Sequence, residues 1–184
     1  IQAQAVEMAM GKDPSAPIIF AARTEFNEGV VGLAASRIVE TFYRPAVIGH
    51  MDEHNTVASC RSINEFNITA ALDQCSDLLL RYGGHSAAAG FMVSNDNWPI
   101  LQERLLKIAR ETFEGLELIP ELFIDREILL ENLEAKYVPG ILDDMALLEP
   151  TGRGNPDALF CSRRLAVKTA RTVGADGAHL KMVL

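Results

Sequence analysis

Short apolar runs alternate with amphipathic stretches over the first two thirds of the chain. The runs are four to six residues long and are bounded by turn-forming residues, which predicts buried strands at 17–22, 45–49, 56–59 and 88–93. Between them, apolar side chains recur three, four and seven positions apart, the period of a helix that packs on one face. Strands that alternate with helices predict an α/β unit over residues 1–116.

Three complete helices are predicted inside this unit, and residues 1–10 are interpreted as the end of another. The first carries the apolar stripe Val31, Ala34, Ala35, Ile38 and Phe42. The second is expected to begin at Asn67 or Thr69, to carry Leu72, Cys75, Leu79 and Tyr82, and to end at Gly83-Gly84. The third follows Ser94-Asn95 and carries Trp98, Leu101, Leu105 and Ile108.

The pattern changes after Gly115. Residues 121–129 are strand-like, and short helices are predicted near 131–137 and 139–147, before a turn-rich segment at 148–156. The chain then predicts a hairpin, with strands at 167–173 and 178–184 joined by a turn at 174–177. Since the sequence starts without Met or a basic leader and stops inside a predicted strand, we expect it to be a piece of a longer protein.

Composition narrows the class of protein. Apolar residues make up 48% of the chain, enough for a core, but no apolar run reaches membrane-spanning length. Three cysteines without CxxC spacing predict free thiols in a reducing compartment, and hence a cytoplasmic protein. The net charge of -8 argues against a polyanionic partner, yet residues 151–184 hold 6 Lys/Arg against 2 Asp/Glu. A local contact with a polyanion and chance clustering of basic residues both fit this distribution.

Three short motifs are candidates for phosphate recognition. Gly83-Gly84-His85 combines close backbone approach with a side chain that can donate to a phosphoryl oxygen or exchange a proton. Ser59, Arg61 and Ser62 combine a guanidinium fork with hydroxyl donors. Asn27-Glu28-Gly29 opens a helix whose free N–H groups suit an anion. Each motif also has an ordinary structural interpretation: a helix cap followed by an exposed His, a surface Arg in a turn, and a common capped helix.

No motif supplies a hydrolytic centre. The sequence has no cluster of Asp and His suited to two divalent metals, and no P-loop, GxSxG, HExxH or Rossmann fingerprint. The remaining histidines are interpreted as surface or turn residues; they are His50, His54 and His179. The Asp143-Asp144 pair is interpreted as part of a solvated helix face. The residues alone therefore predict a phosphate-recognising α/β module without its own catalytic metals.

Five segments together resemble the C-terminal half of the RecJ family, bacterial exonucleases specific for single-stranded DNA. They are 28–48, 58–67, 71–91, 148–156 and 173–184. The GGHxxAAG element at 83–90 is typical of the DHH-associated domain, which several phosphoesterases share. The segments LEPTGRGNP and VGADGAHLKMVL are similar to the oligonucleotide/oligosaccharide-binding (OB) fold that follows it in RecJ.

The resemblance implies a fold and a partner set. Residues 1–116 would form a DHH-associated, substrate-binding domain with a mixed sheet flanked by helices. Residues 117–184 would form connecting helices and a truncated, mainly β OB-like segment. The partners would be single-stranded DNA and an N-terminal DHH domain absent from this chain, in a protein of DNA repair and recombination. That DHH domain would hold Mn²⁺ or Mg²⁺, and this fragment would hold no metal.

The resemblance also implies residue roles in 5′-to-3′ hydrolysis of phosphodiesters. Ser59, Arg61 and Ser62 would hold the terminal phosphate, while Gly83, Gly84 and His85 would contact a phosphate near the metals, with His85 catalytic. The fragment alone is expected to be inactive. Relatives usually have Trp-His where Phe26-Asn27 stand here, so a role of that His is not carried over.

Two other functions remain open. The chain could be a non-catalytic module that binds single-stranded nucleic acid, although Phe160 is the only aromatic residue in 151–184 available for base stacking. It could also belong to an oligoribonuclease or a cyclic-dinucleotide phosphodiesterase, against which residues 117–184 argue.

Overall fold

The computed structural model describes residues 16–129, 138–152 and 154–184, which fall into two compact units. The first unit is Ile1–Pro120 and the second is Glu121–Leu184. The helices expected at 1–10 and at 131–137 lie outside the described residues.

A five-stranded mixed sheet forms the centre of the first unit. Its strands are β1 (Ile19–Arg23), β2 (Ala46–Met51), β3 (Asn55–Arg61), β4 (Leu79–His85) and β5 (Ala88–Ser94). Their order across the sheet is β1-β2-β3-β5-β4, with β1 and β2 parallel and the other neighbours antiparallel. The predicted α/β class with a mixed sheet is confirmed, and β4 is left as an edge strand.

Helices cover the two faces of this sheet. They are α1 (Glu28–Phe42), α2 (Ile68–Asp73) and α3 (Trp98–Thr112), and the side-chain oxygens of Asn27 and Asn67 cap the first two. Helix α1 packs on β2 and β3 through the predicted stripe, and α2 and α3 bury their apolar sides on the opposite face. Within the described ranges, no helix is long and apolar enough to cross a membrane.

The second predicted helix is wrong beyond Asp73. Helix α2 ends there, a short 3-10 helix covers Ser76–Leu78, and the chain then enters β4. Leu79 and Tyr82 therefore lie on a strand, and Gly83-Gly84 lie inside that strand instead of capping a helix. Hydrogen bonding to the free edge of β5 outweighs the helical spacing of the apolar residues, because local propensity is weak against tertiary pairing.

The second unit is made of short elements. β6 (Arg126–Glu127) pairs in parallel with β7 (Phe160–Cys161), and α4 covers Val138–Ala146. The strand expected over 121–129 is thus reduced to two residues. The predicted hairpin is confirmed as β8 (Thr169–Val173) and β9 (His179–Val183), joined through positive-φ glycines at 174 and 177. In the described part of this unit, the strands make two small sheets and not a closed barrel.

Candidate functional site

Strand register brings the two main candidate motifs onto one face of the sheet. Arg61 on β3 and His85 on β4 both pair with Ala88 on the intervening strand β5. One row along, Ser59 and Gly83 both pair with Gly90. Directly opposed residues in antiparallel strands share a face, so these side chains all lie on the α1 side of the sheet.

Arg61 is positioned by the helix that packs over β3. A Cβ placed on Gly32 of α1 would lie 3.2 Å from the Arg61 Nη2 and 3.6 Å from the Ser59 Oγ, so the missing side chain leaves room for both groups. The Arg61 Nη1 donates to the Cys60 carbonyl at 2.8 Å, which anchors the guanidinium to the backbone of β3. Arg61 forms no ion pair with any described carboxylate, so its other N–H groups remain available to an anion.

A shallow groove continues from these residues across β3, β5 and β4. We call it the sheet groove; its volume is about 360 Å³ and its wall residues include Val57, Ser59, Arg81, Gly83 and Gly90. A Cβ on Gly83 would meet nothing within 4 Å, so this glycine keeps the floor of the groove flat. Arg61 and His85 lie one row beyond its Ser59 end.

The neighbouring Gly84 is needed for a different reason. Its φ is +149°, and a Cβ there would lie 2.4 Å from the Ala88 carbonyl oxygen and 2.5 Å from the Ala89 Cα. Both neighbours are backbone atoms, so they cannot move aside without shifting β5. Gly84 therefore permits the close approach of β4 to β5 beside His85.

The turn that carries His85 is held by hydrogen bonds to its backbone. The carbonyl oxygens of His85, Ser86 and Ala87 accept from the Thr69 hydroxyl (2.9 Å), the Ile68 N–H (3.1 Å) and the Ser62 N–H (2.9 Å). The imidazole of His85 is exposed and has no hydrogen-bond partner among the described residues. The side chain is therefore free for a ligand, while the backbone beneath it is fixed.

Two of the predicted phosphate contacts are already used within the fold. The Ser62 hydroxyl donates to the Phe66 carbonyl at 2.6 Å, so it has no proton left for a phosphate. The Asn27 Oδ1 accepts the Gly29 N–H at 2.8 Å, and Glu28 adds a negative charge in the same first turn. Both features disfavour an anion at those positions relative to Arg61 and Ser59.

His50 has a defined partner, contrary to its interpretation as a plain surface residue. It lies half-buried at the end of β2, and its Nδ1 is 2.7 Å from the Phe26 carbonyl oxygen, so that nitrogen carries the proton. The contact ties β2 to the turn before α1.

No metal centre can be assembled from the described residues. Among residues 16–129, 138–152 and 154–184, no group of three or more His, Cys, Asp or Glu side chains is placed to hold a metal ion. The donors in and beside the sheet groove are guanidinium, hydroxyl and imidazole groups, which suit an anion.

Arg81 is a groove residue that the sequence pattern did not single out. It pairs with Met92, which in turn pairs with Val57, and so forms a third row on the same face as Ser59 and Arg61. The signal was the alternation Arg81-x-Gly83-x-His85, which places all three on one side of a strand. The helix predicted through Tyr82 concealed that alternation.

Family models match both units of the chain. The DHHA1 domain model matches residues 15–115, and the RecJ OB domain model matches residues 124–184. A curated relative, the single-stranded-DNA-specific exonuclease RecJ of Bacillus subtilis, is 33% identical over 98% of this chain. The protein of the same name from Thermus thermophilus is 35% identical over 91% of this chain. The chain spans 23% of the length of each of these relatives.

Solved structures give the same assignment. The crystal structure of RecJ in complex with Mn²⁺ from Thermus thermophilus matches all of this chain with a TM-score of 0.83 at 32% identity, and this chain covers 26% of it. A structure of exonuclease RecJ bound to manganese matches 64% of this chain with a TM-score of 0.53 at 31% identity, and 30% of that chain is covered.

Proposed function

The chain belongs to the DHHA1 domain family, whose model matches more than half of its residues, and from this membership we propose that it is the substrate-binding part of a RecJ-type exonuclease. In this proposal it binds single-stranded DNA while the longer parent hydrolyses phosphodiesters from the 5′ end. The similarity to proteins named single-stranded-DNA-specific exonuclease supports the substrate class. The additional RecJ OB match favours this function over an oligoribonuclease or a cyclic-dinucleotide phosphodiesterase.

One observation carries the proposal: the register of β3, β5 and β4 puts Arg61, Ser59, Gly83 and His85 on a single open face. A guanidinium and a hydroxyl side by side suit a phosphate monoester, because Arg can give two parallel charge-assisted hydrogen bonds and Ser a third. We assign the 5′-terminal phosphate to Arg61 and Ser59. Ser62 does not contact the phosphate in this proposal; its hydrogen bonds fix the loop that follows Arg61.

Among the described residues, His85 is the group best placed to act on the reacting phosphate. Its ring is exposed at the end of β4, and the backbone beneath it is fixed by three hydrogen bonds. An imidazole at this position can donate to phosphoryl oxygens and so stabilise the charge that develops on them in the transition state. Divalent ions such as those in the matching RecJ structures would activate water and stabilise the leaving oxygen, and we propose that other parts of the parent hold them.

Basic residues of the second unit suit binding of the single-stranded DNA. In the β8–β9 hairpin, Arg171 lies directly opposite Lys181. Two like charges in that arrangement repel each other, which costs stability unless a polyanion lies between or beside them. Together with the net +4 of residues 151–184, this pair suits contact with a phosphate backbone.

The test is a binding comparison on this chain. We expect a 5′-phosphorylated oligothymidylate to bind about ten- to a hundred-fold more tightly than its 5′-hydroxyl counterpart, the range that one charge-assisted interaction supplies. Arg61→Lys should remove most of that preference, because an ammonium cannot reproduce the planar fork. Arg110→Lys on the exposed side of α3 is the matched control and should keep it. Equal affinity of the wild-type chain for both oligonucleotides would rule out the terminal-phosphate site.

A second measurement addresses catalysis. The purified chain should release no nucleotides from 5′-phosphorylated single-stranded DNA in Mn²⁺, whereas the longer parent should. Metal-dependent turnover that follows the chain through several purification columns would contradict the division of labour proposed here.

A further inference from the structure

Arginines flank the sheet groove on both sides of the Ser59–Gly83 row. Arg81 lines one end of the groove, and Arg61 lies with His85 one row beyond the other end. Two residues along a strand span about 6.6–6.8 Å, so the Cα of Arg81 lies about 13 Å from that of His85. Both residues belong to the exposed edge strand β4.

Arg81 has no acidic partner in the described structure. Other arginines of the chain do have one: Arg37 pairs with Glu40, Arg104 with Asp77 and Arg163 with Glu127. Arg81 is exposed and lines the groove, and no described carboxylate lies within ion-pair distance of it. Its charge is therefore uncompensated within the fold.

The three rows of residues that face the groove around Arg81 include no acidic side chain. The three rows hold nine positions, none of them acidic: Val57, Met92, Arg81, Ser59, Gly90, Gly83, Arg61, Ala88 and His85. This contrasts with residues 1–116 as a whole, which hold 14 Asp/Glu against 9 Lys/Arg. A flat, glycine-floored strip with cations at both ends suits an extended polyanion lying along β4, since such grooves follow the backbone of single strands.

We propose that Arg81 binds an internal phosphate of the DNA strand, at least one nucleotide away from the phosphate held by Arg61 and Ser59. This inference rests on the proposed function and deepens it: the sheet groove recognises a run of nucleotides and not only a terminal phosphate. In this proposal Arg81 acts through its charge, so a lysine at the same position should serve as well.

The test compares ligands of different length on the same variant. The probes are thymidine 5′-monophosphate and 5′-phosphorylated oligothymidylates of two, four and eight nucleotides. Arg81→Gln should leave the affinity for the mononucleotide unchanged and weaken the octanucleotide about three- to thirty-fold. It should also lower the slope of log K against log salt by about 0.7, the value for one lost contact on a single strand. Arg81→Lys should retain the slope, and Arg110→Gln on α3 should behave as wild type.

The outcomes separate this inference from the proposed function. If the wild-type chain binds none of the probes, or if Arg61→Lys has no effect on them, the proposed function fails and Arg81 falls with it. If binding depends on Arg61 but Arg81→Gln binds the octanucleotide as wild type does, the inference alone is overturned. Equal loss for the mononucleotide and the octanucleotide would also overturn it, by placing Arg81 at the terminal phosphate. Because Arg81 is exposed, thermal unfolding of the variants should match that of the wild type.

Discussion

Two adjacent glycines should respond to the same substitution in opposite ways. A Cβ on Gly84 meets the Ala88 carbonyl oxygen at 2.4 Å and the Ala89 Cα at 2.5 Å, whereas a Cβ on Gly83 meets nothing within 4 Å. Gly84 also has a φ of +149°, a conformation that alanine adopts only under strain. The strained backbone costs about 1–3 kcal/mol and the forced shift of β5 a similar amount.

Gly84→Ala should therefore destabilise the chain by about 2–6 kcal/mol. For a unit of about 120 residues each 1 kcal/mol lowers Tm by about 4 °C, so the loss should be about 8–24 °C. Gly83→Ala should be neutral or stabilising by up to about 1 kcal/mol, because alanine reduces the entropy of the unfolded chain and fits the strand without a clash. The assay is urea and thermal unfolding of both variants, followed by circular dichroism.

A side chain at position 83 should affect oligonucleotide binding instead of stability. Gly83→Val keeps a good strand-forming residue but puts side-chain atoms into the sheet groove. The variant should fold as the wild type does and lose most of its affinity for a 5′-phosphorylated oligothymidylate. The reasoning is refuted if Gly83→Ala is as destabilising as Gly84→Ala, or if Gly83→Val binds the oligonucleotide with wild-type affinity.

The remaining predictions concern the groups around the groove and the core beneath it. Gly32→Ala should stabilise α1 by about 0.5–1 kcal/mol yet weaken 5′-phosphate binding, because its Cβ would displace the Arg61 guanidinium; unchanged affinity in a titration would contradict this. His85→Ala should leave Tm unchanged and lower kcat of the longer parent about a hundred-fold; a destabilised but fully active variant would reject the catalytic role. Thr69→Val removes the hydroxyl that donates to the His85 carbonyl and should cost about 1 kcal/mol of stability. Burial raises the pKa of the Cys60 thiol from 9.0 to about 12, so the stability contributed by the protonated thiol is complete below pH 9 and is lost as the pH rises towards 12. Unfolding curves measured between pH 9 and pH 12 should show this loss, and Cys60→Ser should reduce it.

The sequence could predict the parts of the fold that local patterns determine. Buried runs predicted β1, β2, β3 and β5, and the helical stripe from Val31 to Phe42 predicted α1. The segment from Cys75 to Tyr82 could not be assigned in this way, because its apolar residues also fit a helix. This segment enters strand β4 because β5, which follows it after a turn, has a free edge with which it can pair.

The helix wrongly predicted through Tyr82 also concealed how the site residues come together. Arg61 and the Gly83–His85 motif were found as separate motifs, but their meeting depends on both pairing with Ala88, which no local pattern encodes. Ser62 looked like a phosphate donor because a hydroxyl beside an arginine is a common arrangement. Its proton is taken by the Phe66 carbonyl four residues on, a contact that only the loop conformation reveals.

The hydrogen bonds that hold the His85 turn have a consequence for how this sequence can vary. Hairpin tips are ordinarily where extra residues are accepted, because they are exposed and carry few backbone contacts. Here all three carbonyls from His85 to Ala87 are bound to the segment that follows Arg61. An inserted residue at Ser86 or Ala87 would break this set and move the imidazole away from the guanidinium. By contrast, the stretch around Ser76–Leu78 lies outside the set, so changes of length there should leave the distance between Arg61 and His85 intact.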